Sequence, residues 1–188
     1  MGLPKHVAVL NAADIKELCL EAVRHEIPLL TVWLKGTPDE LSAFFEDLRS
    51  WHVLHANQIK VAVLGRWYDL PGRVVERIKD LISATKDYDH YFLNVCVNYD
   101  GREEIADACK LIAHQVRLGK LDPETITPGV VKENIYTSAF LPVDLLISPN
   151  NSTEGFLLWD SARAKIYVTP ETTKEEFLKA LEWFKASS

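Results

Sequence analysis

The residues best placed to do chemistry are Asp100-Gly101-Arg102, which follow an apolar run at 91–97 and open a helical pattern. Free N–H groups and the helix dipole attract anions at a helix start without any glycine motif. Arg102 there could hold a diphosphate. Asp100 would repel it, so a capping aspartate with an ion pair is the competing reading. His52 and His55 stand three apart on a helical stretch, and both imidazoles could face one metal ion. No cysteine or third histidine lies near them, which favours a solvated helix face. His6 and His90 each precede a strand. The polar loop Ser148-Pro149-Asn150-Asn151-Ser152 follows a strand, where α/β sheets usually contact ligands, yet it contains no arginine or lysine to cradle phosphate. Neither GxGxxG nor GxxxxGK[ST] occurs anywhere.

The elements that must position these residues alternate along the whole chain. Short apolar runs at 6–10, 28–34, 59–64, 91–97, 144–147 and 166–169 read as strands buried on both faces. Between them lie helical periods. Ile15, Leu18, Cys19, Ala22 and Val23 mark a helix over 13–25. Thr37-Pro38-Asp39-Glu40 supplies an N-cap, an N1 proline and an N3 glutamate for a helix over 38–57. Further helices are expected over 71–85, from Asp100 to about 118 with Gly119 at its C′ position, briefly from Thr127, over 155–164 and over 173–186. Such alternation predicts one α/β domain spanning residues 1–188, with a six-stranded, mostly parallel sheet and helices on both faces.

Composition narrows the function classes. The 188 residues are 47% hydrophobic and 26% charged, which excludes disorder. Twenty-seven acidic against 21 basic residues give a net charge of −6, so no basic stripe is available for nucleic acid. No apolar run approaches the ~20 residues that cross a bilayer, and no secretory leader is visible. Cys19, Cys96 and Cys109 are odd in number and lack a CxxC, so a cytoplasmic setting is expected, with membrane contact at most peripheral. Of the five tryptophans, Trp33, Trp51 and Trp67 read as core fillers. Trp183 with Phe184, and Phe156 with Trp159, read as surplus aromatics that favour a subunit interface.

Taken as ordered blocks, the chain resembles the cis-prenyltransferases, the undecaprenyl diphosphate synthase family. Lys5-His6-Val7-Ala8-Val9-Leu10 is similar to the strand that precedes the family's Asp-Gly-Asn-Gly-Arg-Trp motif. Leu93-Asn94-Val95-Cys96-Val97-Asn98-Tyr99-Asp100-Gly101-Arg102-Glu103-Glu104-Ile105 is close to its LNIALNYGGRDEI block. Residues 119–127 match the next helix junction, Pro142-Val143-Asp144-Leu145-Leu146-Ile147 resembles its PDPDLLIRTSGE strand, and residues 156–169 resemble NFLLWQLAYAELYFT.

The resemblance implies joining of isopentenyl diphosphate to an allylic diphosphate, in which Mg²⁺ and cationic groups carry the leaving charge. This sequence departs from the family at those groups. Ala12 stands where the family has its essential Asp, Ser148 where it has an Arg, and Lys165 where it has a Glu. The rest of the N-terminal diphosphate-binding motif is absent. Gly65-Arg66-Trp67 looks like its Gly-Arg-Trp but follows the third strand, and Asp14 falls about one turn late.

A kept frame with an emptied site implies a non-catalytic subunit, similar in role to the Nogo-B receptor subunit but without that subunit's Arg-x-Gly tail. Mg²⁺ would then be held by the catalytic partner and no cofactor by this chain. The expected partner face comprises Asn98, Tyr99, Arg102, Phe156, Trp159 and Tyr167, with a homodimer open to the isolated chain. Two other readings stay open: a self-sufficient prenyltransferase holding Mg²⁺ through Asp14 or Asp100, and a module that binds a prenyl lipid.

Overall fold

The structure is a computed structural model describing residues 2–187. Six strands form one sheet: β1 (His6–Val9), β2 (Leu29–Trp33), β3 (Ile59–Leu64), β4 (Tyr91–Cys96), β5 (Leu145–Ser148) and β6 (Lys165–Val168). Their order is β3-β4-β2-β1-β5-β6 and every pairing is parallel, so the sheet is wholly rather than mostly parallel.

Alternate residues along the strands serve two cores, as the pleat requires. Val7, Val9, Leu30, Val32, Val95 and Ile147 join one cluster. The helices α1 (Ile15–Arg24), α2 (Pro38–Ser50), α4 (Gly72–Thr85) and α7 (Lys174–Ala186) pack into it through residues such as Leu18, Phe45, Ile78 and Phe177. Ala8, Leu10, Cys96 and Leu146 join the other, with Tyr99, Val143, Phe156 and Leu157. α5 (Gly101–Arg117) packs on the short α6 (Pro128–Asn134) and is tied to this second side by Glu104, which accepts from Tyr99 Oη at 2.6 Å and from Tyr136 N at 3.0 Å.

Two helices differ from expectation. The helix expected over 38–57 breaks at Trp51, whose ψ of 111° is extended, and resumes as α3 (His52–Ala56). The segment expected as a helix over 155–164 is a run of turns. Glu154, Gly155 and Leu157 all take positive φ there, 52°, 82° and 46°, which no right-handed helix accommodates. Tertiary contacts hold that shape: Phe156 and Leu157 are buried, and Ser161 Oγ donates to Phe156 O at 3.3 Å.

Candidate functional site

In an open parallel sheet, ligands sit beyond the carboxyl ends of the strands, where neighbouring connections diverge. Here the connection after β1 runs to β2 and the one after β5 runs to β6, so the crevice lies between β1 and β5. The chain closes it tightly. Leu10 N donates to Ile147 O at 3.0 Å, Thr172 N to Asn11 O at 2.7 Å, and Ala13 N to Thr172 O at 3.0 Å. Asn11 Nδ2 donates to Pro170 O at 2.6 Å, and Ala12 bridges Thr172. Asp14 caps α1, accepting from Glu17 N at 3.0 Å, rather than lying on that helix as expected. Residues 11–14 are thus committed to 170–172 and to a helix start.

Ser148 is buried at the end of β5, where its hydroxyl donates to Ser152 O at 2.7 Å and holds the following loop. Lys165 is elsewhere. It begins β6, at the opposite end of the sheet, with Nζ 2.8 Å from Ser187 O and 5.0 Å from the Phe184 ring centroid. The structure therefore brings Ala12 and Ser148 together on neighbouring strands and leaves Lys165 apart from them.

Two hollows flank Trp33. One, about 270 Å³, lies over β1 and β5 and is lined by Asn11, Ala12, Lys35 and Glu154. The other, about 450 Å³, lies over β2, β3 and β4 and is lined by Lys35, Arg66, Asn98, Tyr99 and Tyr136, with Asp69, Asp100 and Glu103 at its wall. Its cations are engaged. Arg66 meets Asp107 through two bonds of 2.8 and 3.1 Å, and Glu103 at 2.9 Å. Hydrogen bonding to Asp107 raises the Arg66 pKa, and the same contact holds Asp107 well below the usual carboxylate range. Lys35 Nζ sits 3.9 Å from the Trp33 ring centroid. Burial raises the Tyr99 phenol and the Glu104 carboxyl alike. Sequence reasoning set the Gly65-Arg66-Trp67 segment aside, and it indeed builds no phosphate loop. Its arginine instead fixes the wall of the larger hollow, a role that depends on Asp107, 41 residues away, and leaves no local signal.

This donor set suits neither a diphosphate nor Mg²⁺. Three carboxylates outnumber two engaged cations at the larger hollow, and Mg²⁺ needs several oxygens converging on one point. Asp14 and Asp100 both spend an oxygen on helix caps, Asp100 accepting from Arg102 N at 2.7 Å. Among the described residues no three histidine, cysteine, aspartate or glutamate side chains cluster as a metal would require. His52 is exposed, while His55 places Nδ1 3.0 Å from Tyr88 Oη and Nε2 2.7 Å from Arg49 O. Nor is the start of α5 open: a Cβ at Gly101 would lie 2.1 Å from Gly155 O.

The residues expected as one partner face are dispersed. Asn98 and Arg102 are exposed beyond β4, and Asn98 Nδ2 donates to Arg66 O at 2.9 Å. Trp159 is half-buried and lines a separate apolar hollow with Pro142 and Leu158. Tyr167 lies on β6 against Trp183, its hydroxyl 3.1 Å from Glu176 Oε2. Tyr99 and Phe156 are corrections: both are buried, Phe156 stacks on Trp33 at 5.4 Å, and Tyr99 meets it edge-on at 6.0 Å. The turn at Leu157 drives Phe156 inward as a core residue.

Asn94 carried no signal beyond its place in a matched block. It is fully buried on β4, and neither side-chain amide atom has a hydrogen-bond partner.

Comparison with known proteins supplies what the site alone does not. A family model described as undecaprenyl diphosphate synthase matches residues 11–188. A tritrans,polycis-undecaprenyl-diphosphate synthase (geranylgeranyl-diphosphate specific) from Methanopyrus kandleri is 37% identical over 158 residues, covering 81% of this chain but only 58% of its own length. An isoprenyl transferase from Heliobacterium mobile is 32% identical, covering 90% of this chain and 70% of its own. Among solved structures, lavandulyl diphosphate synthase from Lavandula x intermedia superposes with a TM-score of 0.82 at 21% identity, covering 97% of this chain and 95% of that one, a likeness of fold. With the sheet order, the matched blocks and these relatives in agreement, the chain belongs to the undecaprenyl diphosphate synthase family of prenyltransferases.

Proposed function

We propose that this chain is a non-catalytic subunit of a heteromeric cis-prenyltransferase that makes polyprenyl diphosphate from isopentenyl diphosphate and an allylic primer. The observation that carries the reading is the closure after β1. Where the family resemblance puts an aspartate-bearing diphosphate loop, residues 11–14 are zipped onto 170–172 and run straight into α1. Departure of a diphosphate needs Mg²⁺ and cations arranged before the reaction begins. The partner would supply both. This chain's own residues supply a rigid sheet, with Ser148 and Asn11 holding the loops around the vacated place. Such a complex would work in the cytoplasm, beside the membrane that receives its lipid product.

One observation favours a second reading, a self-sufficient synthase: the relatives at 32–37% identity are themselves named as synthases or transferases. Under it, Asp14 or Asp100 would leave its cap and bind Mg²⁺.

Incorporation of labelled isopentenyl diphosphate, with an allylic primer and Mg²⁺, separates the two. The chain is assayed alone and mixed with a full-motif homologue from the same organism. Product in the mixture above the homologue's own output supports the subunit reading. Product from this chain alone, lost in Asp14→Asn or Asp100→Asn, supports the second.

A further inference from the structure

The two edges of the sheet are finished differently. At the β3 edge, Thr85 of α4 places Oγ1 3.1 Å from Val61 N, so a side chain satisfies a backbone donor that the ladder leaves over. At the β6 edge, the pairing with β5 fixes which residues face inward. Lys165 N donates to Asp144 O at 2.9 Å and Thr169 N to Ser148 O at 3.0 Å, so the odd-numbered residues 165, 167 and 169 point at β5. Strand geometry then turns the N–H and C=O groups of Ile166 and Val168 outward. Among the described residues no partner takes the N–H of either, and Val168 is 50% exposed. An open edge of this kind is a template for another strand.

We infer that the β6 edge pairs with β6 of a second copy of this chain, antiparallel, about a two-fold axis through Tyr167. Parity selects this register. Ile166 of one copy opposes Val168 of the other, and the two exchange both backbone bonds; the symmetric pair repeats this across the axis. A register centred one residue later would set Ile166 opposite Pro170, which has no N–H to give.

The ends of the strand are complementary as well. Arg163 is exposed before β6 and Glu171 is exposed after it, so antiparallel pairing brings each near its opposite in the other copy. The half-exposed Val168 gains Ile166 as its cross-strand neighbour. On the other face Trp183, 37% exposed and packed on Tyr167, lies close to the axis. The inference concerns the isolated chain and stands whether or not a catalytic partner exists.

The test is the mass of the purified chain by sedimentation equilibrium, together with cysteine cross-linking. The expected result is a dimer that Val168→Pro converts to monomer, since proline removes an outward donor at a position where an edge strand tolerates it. Directly opposed residues in a non-hydrogen-bonded antiparallel pair lie about 4.5 Å apart at Cα, within disulfide reach. Tyr167→Cys should therefore link two copies under mild oxidation, while Val168→Cys, offset from its own copy by two residues, should not. The unsubstituted chain controls for the exposed Cys109. A monomer at the highest soluble concentration, a dimer unaffected by Val168→Pro, or linking at 168 rather than 167 would overturn the inference. The cross-link decides the matter even if the proline variant fails to fold.

Discussion

Gly101 lies directly beneath the carbonyl of Gly155: a Cβ added to it would come within 2.1 Å of that oxygen and 2.9 Å of Leu158 Cβ. The first obstacle is backbone, so relief requires the turn at 154–157 to move. Gly101→Ala should cost about 1–3 kcal/mol in urea denaturation, the range for overpacking a fitted site. Gly72 at the start of α4 has nothing within 4 Å of its added Cβ, so Gly72→Ala should be neutral or stabilising.

Asn94 offers a gain instead of a loss. Its amide is buried with no partner for either polar atom, and such groups carry their desolvation cost without return. Asn94→Val keeps a similar volume and suits a strand, so the melting temperature should rise, by an amount corresponding to roughly 1 kcal/mol. A drop would mean that the amide is satisfied in solution.

Phe156 and Trp159 separate core from surface within one segment. Phe156→Ala should cost about 3–5 kcal/mol, as for any fully buried phenylalanine, because it empties the stack on Trp33. Trp159 is only half-buried, and Trp159→Ala should cost clearly less in the same denaturation series.

His6 sets an acid limit. Its Nδ1 lies 2.8 Å from Leu141 O and so donates, while Nε2, 2.8 Å from Thr31 Oγ1, accepts. Burial lowers its pKa despite Asp160 and Asp144 nearby. The unfolded chain therefore takes this proton first, and stability should fall as pH drops through 6.5, levelling below the folded pKa. Glu104 acts oppositely. Its raised pKa contributes stability in acid that is lost as pH rises above 4.5 through the folded value. Glu104→Gln should therefore steepen the loss on acidification and His6→Asn should flatten it, both read from urea midpoints across pH 4–8.

Magnesium should leave the chain unmoved. A ligand that binds only the folded state raises the melting temperature by mass action. With Asp14 and Asp100 committed to helix caps, millimolar Mg²⁺ and EDTA should give superimposable melting curves. A rise with Mg²⁺ would favour the self-sufficient reading.

Much of the frame is legible in the sequence because its causes are local. The capping box at Thr37 and Glu40 forms as its residue types demand, with Thr37 N donating to Glu40 Oε2 at 2.8 Å. Gly119 takes a φ of 67° just past α5, and each strand lies within two residues of its apolar run. What could not be read depends on partners distant in the chain. The apolar spacing of 155–164 suits a helix, but Phe156 is drawn to Trp33, and Asp160 accepts from Lys132 Nζ at 2.7 Å. The dispersal of the expected partner face has the same origin. Adjacency in a matched block says nothing about which side of a turn a ring will occupy. The vacated place, by contrast, was visible as Ala12 and Ser148, because there the chemistry is carried by residue type.

The central position of β1 has a consequence for how the chain is made. Asp144 Oδ2 accepts from Lys5 N at 2.7 Å and from His6 N at 3.0 Å, and β5 is the second neighbour of β1. During synthesis the first strand can join β2 early, yet one of its sides stays bare until residues 145–147 leave the ribosome. Completing the sheet is therefore a late, long-range closure of the kind that slows folding and exposes a growing chain to aggregation. The oldest strand in the polypeptide waits for nearly the youngest.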